Sequence, residues 1–241
     1  QDQLLCTASG FAFYNTSRYD FDKLVADAPQ IAANLRNYIA GFSQNMREVI
    51  ERFDFDNTIS KLTEAGLLFQ VVERFRAADL HPDKVDPATM GTVFEELIRK
   101  FNEALDENPG EHFTPREVIR LMVNLIFFED DDALSDRAVV RTIYDPTAGT
   151  GGMLSVAGEH LLEHNAQARL TMFGQELNDE SYAICKADML IKGQDVANIV
   201  PGNTLSDDGH VFRRFDYMLS NPPFGVEWKK VEREIRDVAE K

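Results

Sequence analysis

The chain has 241 residues, 44% hydrophobic and 27% charged, enough to bury one sizeable core or two modest ones. No apolar run approaches the roughly 20 residues that span a bilayer, and the opening QDQLLCTASG lacks a signal peptide's basic flank and apolar core, so the sequence reads as cytoplasmic. The formal net charge is −16, with 11 Lys and Arg against 18 Asp and Glu in residues 1–108 and 14 against 23 in residues 109–241, which disfavours a chain that grips nucleic acid unaided.

Residues 1–108 read as an all-helical N-terminal domain. The segment from Phe21 to Ile39 is predicted as one helix. DNTISKLTEAGLLFQVVERFRAAD is predicted as another, capped by Asp56 or Asn57, with Ile59, Leu62, Ala65, Leu68 or Phe69, Val72 and Phe75 at helical spacing. TMGTVFEELIRKFNEAL repeats the pattern with Val93, Phe94, Leu97, Ile98, Phe101 and Leu105. These faces are read as the core of a small helical domain rather than as a binding groove. Cys6 and Cys185 are the only cysteines and suggest neither a disulfide framework nor a thiolate metal cluster.

Residues 109–241 read as a second domain. In GEHFTPREVIRLM, Thr114 and Glu117 form the pattern of a capping box, with Pro115 at the first helical position. A helix start with Thr114 and Arg116 beside it can also receive a ligand carboxylate. From about Ala138 the rhythm becomes strand, turn, helix: VVRTIYD, MLSVAGEHLLEH, RLTMFGQE, ESYAICKADMLIKG, ANIVPGN and FDYMLSNPPF. Such alternation predicts an α/β fold with a parallel sheet, whose ligands sit at the carboxyl ends of the strands.

The polar motifs fall at those ends. In YDPTAGTGGML, Gly149, Gly151 and Gly152 permit a tight turn and a ligand against backbone, and Asp145 repels phosphate but can accept from an ammonium. No GK[ST] follows, which disfavours nucleoside triphosphate hydrolysis. Glu176 in FGQELN can take both hydroxyls of a ribose, or be a surface acid. Asn203 in PGNTL can meet an adenine edge, or simply build a turn. In SNPPFG the two prolines cannot continue a sheet ladder, so Asn221, Pro222, Pro223 and Phe224 make a rigid turn presenting an amide oxygen, a main-chain carbonyl and a ring. Two acceptors suit an exocyclic amine, and the ring suits stacking on a base. The same residues could be a structural turn. HLLEH, His160 to His164, matches H-x-x-E-H of inverted zinc proteases, but it lies in the helix that the glycine turn opens and is read as a charged helix face, with no metal expected.

DPTAGTGGML, GQE, GNTL and NPPF in this order, with HFTPRE upstream and a helical amino-terminal region, resemble the amino-methylating DNA methyltransferases that use S-adenosylmethionine, and in particular the modification subunit of type I restriction-modification systems. The resemblance covers nearly the whole chain. It implies a Rossmann-like S-adenosylmethionine-dependent methyltransferase domain preceded by the helical domain. The missing strands after NPPF, the first residue Gln and the charged end WKKVEREIRDVAEK are read as signs of a piece of something longer.

The resemblance also implies roles. Glu111, His112, Phe113, Thr114, Pro115 and Arg116 would line the methionine end of the cofactor. Asp145 with the turn Thr147, Ala148, Gly149 and Gly151 would hold its amino acid moiety, Glu176 its ribose, and Asn203 its adenine ring, although relatives of the wider fold often have aspartate there. Asn221, Pro222, Pro223 and Phe224 would hold a flipped adenine. DNA, a specificity subunit and a restriction subunit are the implied partners. Two other readings stand beside this one: a methyltransferase for protein glutamine amides, where Tyr commonly replaces Phe224, and a cofactor-binding assembly module without activity.

Overall fold

A few residues that periodicity does not register set the helix ends in the amino-terminal half. The computed structural model describes residues 2–81, 83–85, 87–104, 114–130, 135, 139–223, 229, 232 and 236. It divides into two units, Gln1–Met90 and Gly91–Lys241.

The first unit holds α1 (Asp2–Ser9), α2 (Phe21–Ala26), α3 (Ile31–Ala40), α4 (Gln44–Arg52), α5 (Phe55–Glu64) and α6 (Leu68–Ala77). The single helix expected from Phe21 to Ile39 is therefore two, separated by the 3-10 turn Ala28–Gln30, with Pro29 in its first positions. A proline there has no N–H to leave unsatisfied but ends the preceding ladder. The helix expected after Asp56 is also two. Gly66, at φ +68°, donates to the Thr63 carbonyl at 3.0 Å, and Leu67 donates to that of Leu62 at 2.8 Å, a Schellman stop. Asp54, not Asp56 or Asn57, stands at the cap position of α5 and makes no side-chain cap bond. Leu24, Ile31, Leu35, Ile59, Leu68 and Val72 form the core, whereas Phe75, expected inside, is 58% exposed. Helix α7 (Pro87–Ala104) spans the division between the units, and its Val93 and Leu97 are exposed. The side chains of Ile98 and Phe101, and all of Leu105, lie outside the described residues.

The second unit is α/β. Its elements are α8 (Arg116–Phe127), β1 (Val140–Asp145), α9 (Gly152–His164), β2 (Arg169–Glu176), α10 (Asp179–Ile191), β3 (Ile199–Pro201) and β4 (Tyr217–Met218). The described strands pair in parallel in the order β3-β2-β1-β4. Register runs from Val140 opposite Arg169 to Asp145 opposite Gly174, with Ile143 opposite Tyr217. β2 buries four successive residues, Met172 to Gln175, as a strand covered on both faces does. α9 lies on β1 and β2, α10 lies on β2 and β3, and α8 packs on α9. The α8 face is Ile119, Val123 and Phe127, four residues apart and each at most 2% exposed, a burial that contributes about 1.5–3 kcal/mol per side chain.

β4 has two ladder residues, but side chains extend its attachment. The Asp216 carboxylate accepts from the Thr142 N–H at 2.7 Å and from its hydroxyl at 2.8 Å, and the Asp216 N–H donates to that hydroxyl at 3.0 Å. Beyond the strand, the Leu219 N–H donates to the Tyr144 carbonyl at 3.0 Å. The chain thus leaves the sheet beside the end of β1 in a fixed direction, carrying Ser220 and Asn221 with it.

Candidate active site

Strand order locates the site. From β1 the chain moves outward through β2 and β3, then returns to place β4 on the other side of β1. In parallel sheets a reversal of this kind, between β1 and β4, is the usual place for a ligand, at the carboxyl ends of the two strands. Asp145, the glycine turn and Asn221 all lie at this point.

Asp145 ends β1 and is 1% exposed. Its Oδ1 accepts from the Thr147 N–H at 3.0 Å. Burial pushes its carboxyl up to about 7, the Thr147 hydrogen bond opposes that, and the Glu176 charge adds to the rise. A buried acid held this close to neutrality suits a cationic group, whose charge would favour the ionised form.

The turn after Asp145 is tied on three sides. The Ala148 N–H donates to the Gln175 carbonyl at 2.9 Å, and the Gly149 N–H donates to Glu176 Oε2 at 2.8 Å. The Pro146 carbonyl accepts from Thr204 Oγ1 at 2.5 Å. Gly151 caps α9 at φ +88°, and a Cβ there would stand 2.9 Å from Cys185 Sγ, so geometry and space both demand glycine. Burial pushes the Cys185 thiol well above its ordinary value and keeps it a neutral packing group.

Glu176 ends β2, and its Oε1 accepts from the Asn178 N–H at 2.7 Å. Both oxygens therefore hold backbone, and each keeps a second lone pair for a ligand hydroxyl. Asn203 stands two residues beyond the end of β3, and its Oδ1 accepts from the Leu205 N–H at 3.0 Å, an Asx turn. Gln175, fully buried, donates to the Asp207 carbonyl at 2.7 Å and accepts from the Gly209 N–H at 3.0 Å, which fixes the loop that follows Asn203.

The turn after β4 is held by two hydroxyls. Ser220 Oγ lies 2.9 Å from Thr147 Oγ1, and Asn221 Nδ2 donates to Thr114 Oγ1 at 2.9 Å. Pro222 and Pro223 follow, exposed. The expected capping box is not formed: α8 begins at Arg116 with Pro115, which has no side-chain acceptor, at the cap position, and the Thr114 hydroxyl accepts from Asn221. Arg116 is turned toward α9, where its guanidinium pairs with Glu159. Glu111, His112, Phe113 and Phe224 lie outside the described residues.

The carboxylates and the amide named from the sequence stand at the ends of β1, β2 and β4, and the residues that tie their loops, Ser220, Thr204 and Gln175, were not named. Each lies inside a quoted motif, and the signal was a small hydroxyl or a buried amide beside a residue already singled out. In HLLEH, His164 Nδ1 bonds the His160 carbonyl at 2.8 Å and the His160 ring stacks on Phe127.

Comparison with known proteins gives the family. Residues 85–239 match the N-6 DNA methylase family, and residues 1–75 match the HsdM N-terminal domain. The type I restriction enzyme EcoEI methylase subunit of Escherichia coli is 28% identical over 200 residues, covering 79% of this chain and 38% of that protein. The MjaIX methylase subunit of Methanocaldococcus jannaschii is 28% identical over 140 residues, covering 57% of this chain and 23% of that protein. The chain thus spans well under half the length of these relatives. A solved type I restriction-modification methyltransferase subunit from Streptococcus thermophilus shares the fold at TM-score 0.66 and 24% identity, over 86% of this chain and 44% of that one. The chain belongs to the N-6 DNA methylase family, in the modification-subunit group of type I restriction-modification systems.

Proposed function

We propose that the protein of which this chain is part methylates the N6 amine of adenine in DNA, within a complex that includes a specificity subunit and a restriction subunit. The observation that carries this reading is the Asn221 amide at the carboxyl end of β4, beside the Asp145 turn at the point where strand order reverses. Residues 1–108 would serve as the helical domain and 109–241 as the catalytic one, in a cytoplasmic enzyme of the adenine-specific DNA methyltransferase class.

The residues present fit S-adenosylmethionine, which supplies a methyl group on a sulfonium when bound. The buried, near-neutral Asp145 carboxyl suits the ammonium of its amino acid moiety. Thr147, Ala148, Gly149 and Gly151 shape the turn beside it, Glu176 has acceptor capacity for a ribose, and Asn203 would approach the adenine ring. Thr114 to Arg116, with Glu111, His112 and Phe113, would flank the methionine end.

The chain's own contribution to the reaction is to hold and polarise an amine. The N6 lone pair of adenine is delocalised into its ring and is a poor nucleophile. Acceptance of both N6 hydrogens, by Asn221 Oδ1 and the Pro222 carbonyl, draws the nitrogen toward tetrahedral geometry and frees the lone pair. The rigid Pro222–Pro223 backbone fixes the Pro222 carbonyl and the main chain beside Asn221 beforehand, so placement and electrostatics supply the rate. An adenine within a duplex must leave the stack to reach them, and Phe224 would give replacement stacking.

The test is chemical identification of the product. DNA from a methylation-deficient host, incubated with the full-length protein, its specificity subunit and S-adenosylmethionine, should yield N6-methyl-2′-deoxyadenosine on nucleoside digestion. Methylated cytosine, or methyl groups confined to protein glutamine, would defeat the reading.

A further inference from the structure

We propose that Thr114 is a positioning residue that sets which end of the Asn221 amide faces the substrate. The inference rests on the reading of Asn221 as an amine acceptor and deepens it.

An amide side chain has two ends of similar shape and opposite hydrogen-bonding character, and a half-turn about its last bond exchanges them. For Asn221 only one orientation is useful, because the NH2 end would meet an incoming amine donor to donor. Proline rigidity cannot choose between the two, since Pro222 and Pro223 fix backbone and leave the side-chain torsion untouched. Something outside the turn must make the choice. Thr114 Oγ1, accepting from Asn221 Nδ2 at 2.9 Å, is placed to do so. While that bond stands, Oδ1 points away from Thr114.

Three further observations support a dedicated contact. Thr114 and Asn221 are 107 residues apart and come from separate elements, so local sequence does not bring them together. The neighbouring Ser220 is fixed independently, by Thr147 at 2.9 Å, so the backbone entering the turn is already anchored and the Thr114 bond is left to govern the side chain. Thr114 also precedes the cap position of α8, which Pro115 occupies. Its hydroxyl keeps its own proton while accepting, and that proton is available to a carboxylate. Occupation of the cofactor pocket and orientation of the amide thus meet at one oxygen.

The experiment uses the full-length protein with its specificity subunit and DNA from a methylation-deficient host, and compares wild type, Thr114→Val and Thr114→Ser. Valine keeps the shape and removes the acceptor. Thr114→Val should lower kcat at saturating S-adenosylmethionine by about tenfold or more, the scale of a misplaced reacting group, a loss that saturation with cofactor does not recover, while Tm stays at the wild-type value. Thr114→Ser should restore kcat. A raised cofactor Kd with unchanged kcat would make Thr114 a plain cofactor ligand and overturn the inference. Equal losses in both variants with a lowered Tm would make it structural and overturn it as well. A wild-type complex that leaves DNA adenine unmethylated defeats the proposed function itself, whereas an active wild type with indifferent Thr114 variants defeats only the positioning role.

Discussion

Asp145 gives the site a pH dependence whose sign follows from burial. Its carboxyl, pushed up to about 7, is ionised above that value and neutral below it. A ligand ammonium requires the ionised form, so cofactor affinity should fall about fivefold from pH 7 to pH 6, the drop in ionised fraction for a group with that midpoint. Calorimetric titration at the two pH values measures this, and Asp145→Asn should bind weakly with no dependence across the window. The same shift acts on stability. Between the ordinary carboxylate range and about 7 the folded state holds a proton that the unfolded chain releases, so ligand-free stability should decline as pH rises through that interval and flatten in Asp145→Asn. Asn221→Ala makes a separate prediction: methyl transfer should be abolished while cofactor Kd stays near that of wild type. Loss of both would mean that the turn after β4 is only structural.

At the scale of elements, the turn between β1 and α9 is the most constrained segment of the site. Gly151→Ala would place a side chain at φ +88° and 2.9 Å from Cys185 Sγ. Left-handed backbone alone costs an L-residue about 1–2 kcal/mol, so chemical denaturation should show at least that loss. A wild-type denaturation midpoint for Gly151→Ala would show that the turn has another conformation. Sequence legibility also differs by element. β1, β2, α9 and α10 were readable because buried apolar runs alternate with helical spacing, and RLTMFGQE is the whole of β2. α2, α3, α5 and α6 were misjoined because one period continues across Pro29 and Gly66, and only backbone geometry shows the break. β4 was read too long, since its attachment depends on Asp216 and Thr142, 74 residues apart. The link between Thr114 and Asn221 was illegible for the same reason: T-P-x-E is a sufficient cap signal, and nothing local reveals that the hydroxyl has a distant partner.

For the molecule as a whole, charge sets the terms of assembly. With 41 acidic against 25 basic residues, the chain carries a net charge that opposes a phosphate backbone, so under the proposed function the duplex would be held by other chains or segments. The chain alone should bind DNA with negligible affinity, and the steep fall of log K with log salt that marks phosphate contacts should appear only when the specificity subunit is added. A strong, salt-dependent affinity of the chain by itself would overturn that division of labour. Among the described residues no helix is long and apolar enough to cross a membrane. The most direct test of adenine methylation follows the methyl group itself. Full-length protein is incubated with labelled S-adenosylmethionine and unmethylated DNA, with and without the specificity subunit. Label should enter DNA, as N6-methyladenine, in the complete mixture; label in protein and none in DNA would contradict the assignment.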